Sequence, residues 1–370
     1  MTKVCHMTSA HAPEDVRIFH KECVSLARAG YEVYLVERGN SYEKDGVQIL
    51  GVGEPDGGRL CRMTSFARKV YRKALEVDAD IYHFHDPELL PFGRKLKRLG
   101  KKVIFDSHEN YGDQIELKPY LPAAVRKSVA SMYRDYEKRI VKTLDCVILP
   151  CAFEGKNPFQ GYSRRVAFIN NFVQLDKFPN VPASCDAKHP RQLVYVGGLT
   201  EARGITCDVL ASAKAESKLV LAGNISEAYW SQLKEMPAFS TVEYRGKLNR
   251  EQVVELLAES QIGLFTLLNR GQYWKLDNFG VKVFEYMAMG LPIIFAASPY
   301  NKRMVEQYHF GICVDPENIE EFAGAIRYLL DHPEEAQKMG QNGRQAVEEA
   351  FNWGVEEKKL LALYEEILKD

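Results

Sequence analysis

Short β-branched runs alternate with longer amphipathic ones along this 370-residue chain, and the alternation breaks off once and restarts. Lys3–Thr8, Glu32–Glu37, Val47–Val52, Ile81–His85, Val103–Phe105 and Cys146–Leu149 read as strands. Asp15–Ala29, Met63–Glu76, Pro87–Leu99 and Pro122–Thr143 read as the helices between them. Such repetition buries both faces of a sheet when the strands run parallel under helices on each side. A Pro-rich stretch without periodicity, Pro179–Pro190, reads as a linker. Beyond it, strands are expected at Leu193–Val196, Leu219–Ala222, Val242–Arg245, Ile262–Thr266, Ile293–Phe295 and Ile312–Val314. Helices are expected at Ile205–Lys214, Glu227–Lys234, Arg250–Glu259, Val281–Met289 and Ile319–Leu330, with two more at Pro333–Phe351 and Val355–Lys369. The fold class is therefore α/β, with two Rossmann-like, doubly wound domains over residues 1–180 and 190–354. Sheets of this kind bind ligands at their carboxyl ends, which points to a central cleft faced by both domains.

Composition excludes several classes. The eight cysteines are scattered without a C-x-x-C pair or zinc-like spacing, so no disulfide framework is expected. No run approaches ~18 apolar residues, and the N-terminus enters a strand almost at once. A cytoplasmic protein without a signal peptide is the expectation. The first 180 residues carry 29 Lys and Arg against 23 Asp and Glu, although the whole chain is at −1. Part of that excess is clustered, as in Arg68-Lys69…Arg72-Lys73 and Arg94-Lys95…Lys97-Arg98. Such clusters suit an anionic membrane surface, here the inner face of the cell membrane, or a phosphorylated acceptor, or are plain solvated helix faces. No nucleic-acid module accompanies them, so no nucleic-acid partner is expected.

The segment Asp277-Asn278-Phe279-Gly280-Val281-Lys282-Val283-Phe284-Glu285 reads as a loop opening a short helix, which Gly290 and Pro292 then end. Lys282 and Glu285 are three apart and share one helix face. Free N–H groups and the positive dipole end at such a helix start hold a phosphate well. Lys282 adds a positive charge, and Glu285 can accept two hydroxyl hydrogen bonds, so a ribose diphosphate fits. A buried amphipathic helix with a surface Lys and Glu fits the same pattern. A second turn of this kind is Tyr195-Val196-Gly197-Gly198-Leu199…Arg203-Gly204-Ile205, where Arg203 can fork onto a diphosphate. The two turns together predict one pyrophosphate held by Arg203, Lys282 and helix amides.

In the first half, Asp106-Ser107-His108-Glu109-Asn110 follows a strand, and His108 is the candidate for contacting a reacting group. His83 and His85 alternate onto one side of their strand. They could ligate a metal, but no third ligand is evident, so a structural or rim role is expected. Asp78-Ala79-Asp80 precedes a strand and reads as turn chemistry. The first loop, His11–Phe19, lacks a Gly-x-Gly, which weakens a dehydrogenase reading.

These residues resemble a known group. Lys282-Val283-Phe284-Glu285-Tyr286-Met287…Gly290-Leu291-Pro292 looks like the donor-binding helix of glycosyltransferase family 4, of GT-B fold. Val196-Gly197-Gly198-Leu199…Arg203-Gly204-Ile205 resembles its phosphate loop. The segments His11–Glu22, Asp106–Glu109 and Trp353–Tyr364 also resemble that family. The resemblance implies a retaining glycosyltransferase that moves a sugar from a nucleoside-diphosphate sugar, UDP- or GDP-linked, to a hydroxyl acceptor. A glycan or lipid-linked acceptor in surface polysaccharide or glycolipid synthesis is implied, with no cofactor and no metal required. Glu285 would hold the ribose hydroxyls, Arg203 and Lys282 the diphosphate, and Phe279 and Gly280 would present backbone amides. Gly197 and Gly198 would line the phosphates, and Lys247 and Leu248 would lie against the base. His108 would sit beside the transferred sugar, making His108, Arg203 and Lys282 the catalytic group. Arg17, His85 and Glu109 are assigned to the acceptor. The final helix, 355–370, would return to the first domain. Two positions depart from the family pattern: Asp277 stands where a first glutamate is common, and Gly198 where an Arg is common. A nucleotide-sugar epimerase and a non-catalytic nucleotide-sugar-binding protein are the alternatives.

Overall fold

A computed structural model describes the chain except residues 109–110, 117–120, 180–189, 271–273 and 275. Glu109 and most of the expected linker therefore lie outside the described residues. Two compact units divide the chain, Met1–Asn171 with Gly354–Asp370, and Phe172–Trp353.

The first unit holds β1 (Lys3–Met7), β2 (Glu32–Glu37), β3 (Tyr42–Lys44), β4 (Val47–Gly51), β5 (Ile81–Phe84), β6 (Lys102–Asp106), β7 (Cys146–Leu149) and β8 (Val166–Phe168). Their order is β3-β4-β2-β1-β5-β6-β7-β8, parallel throughout except for the β3–β4 hairpin. The order reverses between β1 and β5, where such sheets place their ligands. Alternation puts Cys5, Met7, Tyr82 and Phe84 into the apolar cluster on one face. It sends His6 and His83, register partners in neighbouring strands, to the other face. The C-terminal helix, Trp353–Lys369, belongs to this unit and buries Glu356, Leu360, Leu363, Tyr364 and Ile367 along one helical stripe.

The sequence pattern missed some local detail. Strands β3 and β8 and the helix Tyr111–Glu116 are too short or too polar to show periodicity. Asp15–Ala29 is not one regular helix: residues Ile18–Cys23 form a π-turn that runs into Val24–Arg28. Glu22 N–H accordingly bonds Arg17 C=O at 3.0 Å, an i to i+5 contact.

The second unit is built from β9 (Gln192–Val196), β10 (Lys218–Ala222), β11 (Val242–Tyr244), β12 (Ile262–Phe265), β13 (Ile293–Ala296) and β14 (Gly311–Val314). All are parallel, in the order β11-β10-β9-β12-β13-β14. The reversal falls between β9 and β12. One helix escaped the sequence reading, Pro299–Tyr308, whose N-cap Ser298 accepts from Asn301 N–H at 3.1 Å. Helix Val281–Ala288 packs Val283, Phe284, Tyr286 and Met287 into the core, each such side chain contributing roughly 1.5–3 kcal/mol.

Candidate active site

The Tyr286 ring sets where helix Val281–Ala288 presents its charges. The ring lies against Gly263 of β12, where a Cβ would stand 2.5 Å from Tyr286 Cδ2. Its hydroxyl accepts the Val196 N–H at the end of β9 at 3.0 Å. Lys282 is one turn earlier on the same face, which carries it over the β9 carboxyl end. There its Nζ donates to the Tyr195 hydroxyl at 2.9 Å and lies 4.3 Å from that ring's centroid.

Arg203 reaches the same spot from the other turn. A Cβ built on Gly197 would stand 2.4 Å from Lys282 Nζ and 3.6 Å from Arg203 Nη1. Two nitrogens at those distances from one point are at most 6.0 Å apart. On Gly198 a Cβ would be 3.5 Å from Arg203 Nη1. The turn predicted from Gly197, Gly198, Arg203 and Lys282 is thus one cationic corner. Glycine is required at Gly197 for conformation as well as space, since φ is +140°. No side chain caps helix Val281–Ala288 at Gly280 or helix Ile205–Lys214 at Gly204, so both dipoles begin beside backbone alone.

The electrostatics of this corner follow from crowding. Burial and then the Arg203 charge lower the Lys282 ammonium to about 7, against its ordinary 10.5, while Glu285 and Asp208 pull the other way. Burial likewise raises Asp208 to about 8, partly offset by the hydrogen bond it accepts from Thr266 Oγ1 at 2.5 Å. Two like charges held over one glycine repel, and a dianion between them would relieve that repulsion.

The remaining donor-site candidates are placed as follows. Glu285 is half-buried, one turn from Lys282 on the same helix face. Asp277 accepts from Arg303 Nη2 at 3.0 Å, so its shorter carboxylate is anchored by a surface arginine. The Phe279 amide donates to its neighbour's side chain, Asn278 Oδ1, at 2.8 Å. The Phe279 ring packs among Phe284, Phe295, Tyr300 and Phe310, which makes this residue part of the core. Gly280 packs closely, since a Cβ there would stand 3.1 Å from Phe265 Cε2 and the ring would have to give by a few tenths of an ångström. Lys247 is exposed, and Leu248 packs against the apolar core of the unit.

The first unit gathers a second polar cluster at the carboxyl ends of β1, β5 and β6. Arg17 grips Asp106 with two bonds, Nε to Oδ2 at 2.7 Å and Nη2 to Oδ1 at 3.1 Å. Burial alone would raise the Asp106 pKa, but Arg17 outweighs it and holds the carboxylate well below its usual range. Breaking a buried pair of this kind costs about 3–5 kcal/mol. Arg17 is only 3% exposed and is committed to Asp106 and, at 3.1 Å, to Glu22. It therefore serves the core here and offers no face to an acceptor. The same holds for His85, 1% exposed, whose Nε2 and Nδ1 lie 3.0 Å from His6 Nδ1 and 3.1 Å from His108 Nε2.

His108 keeps 17% of its side chain exposed and borders His11, ring centroids 5.0 Å apart. Burial lowers its pKa to about 3, with Asp106 opposing. A neutral imidazole at neutral pH can accept or donate a hydrogen bond to a sugar hydroxyl without acting as an acid.

Several polar residues of these clusters escaped the sequence reading. Tyr195, Asp208, Tyr286 and Gly223 frame the cationic corner. His6, Glu22, Asp86 and Tyr364 frame the histidine cluster. His83 and His85, expected to lack a third potential ligand, have two: His6 and Glu22. His6 was findable, since it sits in the first strand with the alternation that also positions His83. Glu22 depends on the π-turn and left no signal.

Comparison with known proteins agrees with this architecture. Residues 182–346 match the family model "Glycosyl transferases group 1", and residues 17–177 match "Glycosyltransferase Family 4". A D-rhamnosyltransferase of Pseudomonas aeruginosa is 22% identical over 305 residues, 78% of this chain and 74% of that protein. Further curated relatives, a mannosyltransferase of Mycolicibacterium hassiacum and a glycogen synthase of Mycobacterium tuberculosis among them, are matched over less than half their own length. Sucrose-phosphate synthase from Thermosynechococcus elongatus superposes with a TM-score of 0.77 at 18% identity, over 100% of both chains. Anabaena HepE, solved in complex with UDP-glucose, gives 0.71 at 14% identity, over 99% of this chain and 100% of that one.

Proposed function

Since the chain belongs to the family 4 glycosyltransferases and is an enzyme of the hexosyltransferase kind, we propose that it transfers a sugar from a nucleoside-diphosphate sugar with retention at the anomeric carbon. The acceptor is a hydroxyl on a glycan or lipid-linked glycan, in surface polysaccharide or glycolipid synthesis. The supporting observation is the convergence of Arg203 and Lys282 over Gly197. A departing diphosphate accumulates negative charge, and two preplaced cations with two helix starts stabilise it there. They do this work without a metal. Glu285, on the Lys282 face, takes the ribose hydroxyls. Lys247 and Leu248 lie toward the base. The leaving phosphate oxygen receives the acceptor's proton on the face of departure, and His108 orients the transferred sugar. A thermal-shift panel of UDP-, GDP- and ADP-sugars tests the reading. One donor should raise Tm and be cleaved to its nucleoside diphosphate with acceptor; no response to any of them would oppose it.

Donor binding should also depend on pH. Lys282 is largely neutral above about 7 in the free protein and is restored toward 10.5 by a bound diphosphate. Binding then takes up a proton, so affinity falls as pH rises from about 7 to 9, by up to about tenfold per unit. A flat affinity across that window would contradict the assignment.

The first unit is proposed to touch an anionic membrane peripherally, supported by Leu60 (80% exposed) and Met63 beside exposed Arg68, Lys69 and Arg72. No helix among the described residues is long and apolar enough to cross a membrane. Flotation with anionic vesicles at low salt should recover the protein, and Leu60→Glu should reduce recovery; equal recovery with neutral vesicles would oppose the proposal.

A further inference from the structure

The histidine cluster behind His108 has the form of a metal centre. His6 Nδ1, His83 Nε2 and His85 Nε2 lie 4.0, 3.9 and 3.8 Å from Glu22 Oε2. These four donor atoms are all within 4.8 Å of one another, and the four side chains are fully buried. Four polar side chains in a dry interior are costly unless something satisfies them. Glu22 Oε1 has the Arg17 guanidinium at 3.1 Å and His6 Nδ1 shares a proton with His85 Nε2, yet Glu22 Oε2 and His83 Nε2 are buried without a hydrogen bond among the described residues.

The other ring nitrogens supply an independent observation. His83 Nδ1 is 2.8 Å, and His6 Nε2 3.2 Å, from the Tyr364 hydroxyl. His85 Nδ1 faces His108 Nε2 at 3.1 Å and Asp106 Oδ2 at 3.4 Å. Each imidazole thus has an outer partner on the nitrogen pointing away from Glu22. That is how metal-bound histidines are oriented, with the outward N–H donated to an oxygen or nitrogen acceptor. Bonds of roughly 2.0–2.1 Å to a tetrahedral ion set the donor atoms about 3.3–3.4 Å apart, so Glu22 Oε2 closes on the nitrogens by about half an ångström while His6 Nδ1 and His85 Nε2, now hydrogen-bonded at 3.0 Å, open slightly.

We propose that His6, Glu22, His83 and His85 bind one divalent first-row transition metal of the zinc class. Three imidazoles with one carboxylate select against magnesium and calcium, which favour oxygen alone. Four protein donors close the coordination sphere, so the ion is structural. It ties β1 and β5 to the π-turn after the first loop. It also adds a divalent cation beside two buried carboxylates, Glu22 and Asp106, that share the Arg17 guanidinium.

The experiment uses the full chain, carrying no polyhistidine tag, produced in medium supplemented with Zn²⁺ or Co²⁺. Elemental analysis should find about one metal per chain. The Co²⁺ form should show the intense visible d–d bands of a tetrahedral site. X-ray absorption at the metal edge should show imidazole scattering. His83→Gln and Glu22→Gln should each lower metal retention about tenfold or more, at the scale of losing a ligand or its support. Wild-type protein with only trace metal and no cobalt bands would overturn the proposal. So would bands that persist unchanged in both variants, which would put the metal elsewhere. Should a variant fail to fold, the wild-type absorption spectrum decides alone: an oxygen-only shell without imidazole overturns the site.

Discussion

Lys282→Met should weaken nucleotide-sugar binding by about ten- to a hundredfold, or ~1.5–3 kcal/mol, while leaving the free protein as stable as before or more so. The two halves of that expectation have one cause. In the free protein, Lys282 is held in a half-buried position facing Arg203, and its lowered pKa of about 7 records the cost. Methionine keeps the length and apolar stem, ends the repulsion and loses one hydrogen bond to Tyr195. Calorimetry gives the affinity, and a thermal melt without ligand gives the stability. A lysine that merely decorates a helix surface would show neither effect. Arg203→Ala should weaken binding on the same scale, and the double variant should fall short of the sum, since the two cations share one anion. Unchanged affinity in both single variants would sink the assignment.

Gly223→Ala should destabilise the protein by about 3–5 kcal/mol and abolish the thermal response to donor, although Gly223 has no assigned role toward the ligand. Its φ is +139°, and a Cβ there would lie 1.8 Å from the Gly197 carbonyl oxygen and 2.6 Å from its carbon. Those are backbone atoms with nowhere to go. The Gly197 N–H is already fixed to Ala222 C=O at 2.8 Å, and Gly223 N–H to Gly246 C=O at 2.7 Å. Either the end of β9 or the end of β10 must shift, and the cationic corner shifts with it. Gly100→Ala is the control, because its φ of +79° carries strain but no atom lies within 4 Å of the added carbon. It should cost only about 1 kcal/mol and leave donor binding intact. Chemical denaturation measures both. Equal small losses would show that the close approach of Gly223 to Gly197 is not what shapes the site.

The parallel sheets were legible because their strands announce themselves by β-branched runs at regular intervals, and helix Val281–Ala288 by its Gly280 entry and Gly290 exit. What stayed hidden was whatever depends on two segments meeting. Gly223 looks like any strand-end glycine until β10 is laid beside β9. Tyr364 is 281 residues from His83, and only the return of the last helix brings them to 2.8 Å. Glu22 reaches Arg17 because a π-turn stacks residues five apart, and the apolar spacing of Ile18 and Phe19 does not distinguish that turn from an α-helix. For Arg17 and His85, residue type suggested a ligand contact, whereas burial gives both to the interior. The burial of the Phe279 ring was hidden in the same way, since it depends on Phe295, Tyr300 and Phe310 coming together.

Proton uptake on donor binding is the most direct probe of the cationic corner. Titrating the nucleotide sugar that raises Tm, intact and without acceptor, at pH 8 in two buffers of different ionisation heat should show uptake of close to one proton per chain by the wild type, and none by Lys282→Met. Binding by the wild type with no proton exchanged would mean that Lys282 does not meet the diphosphate.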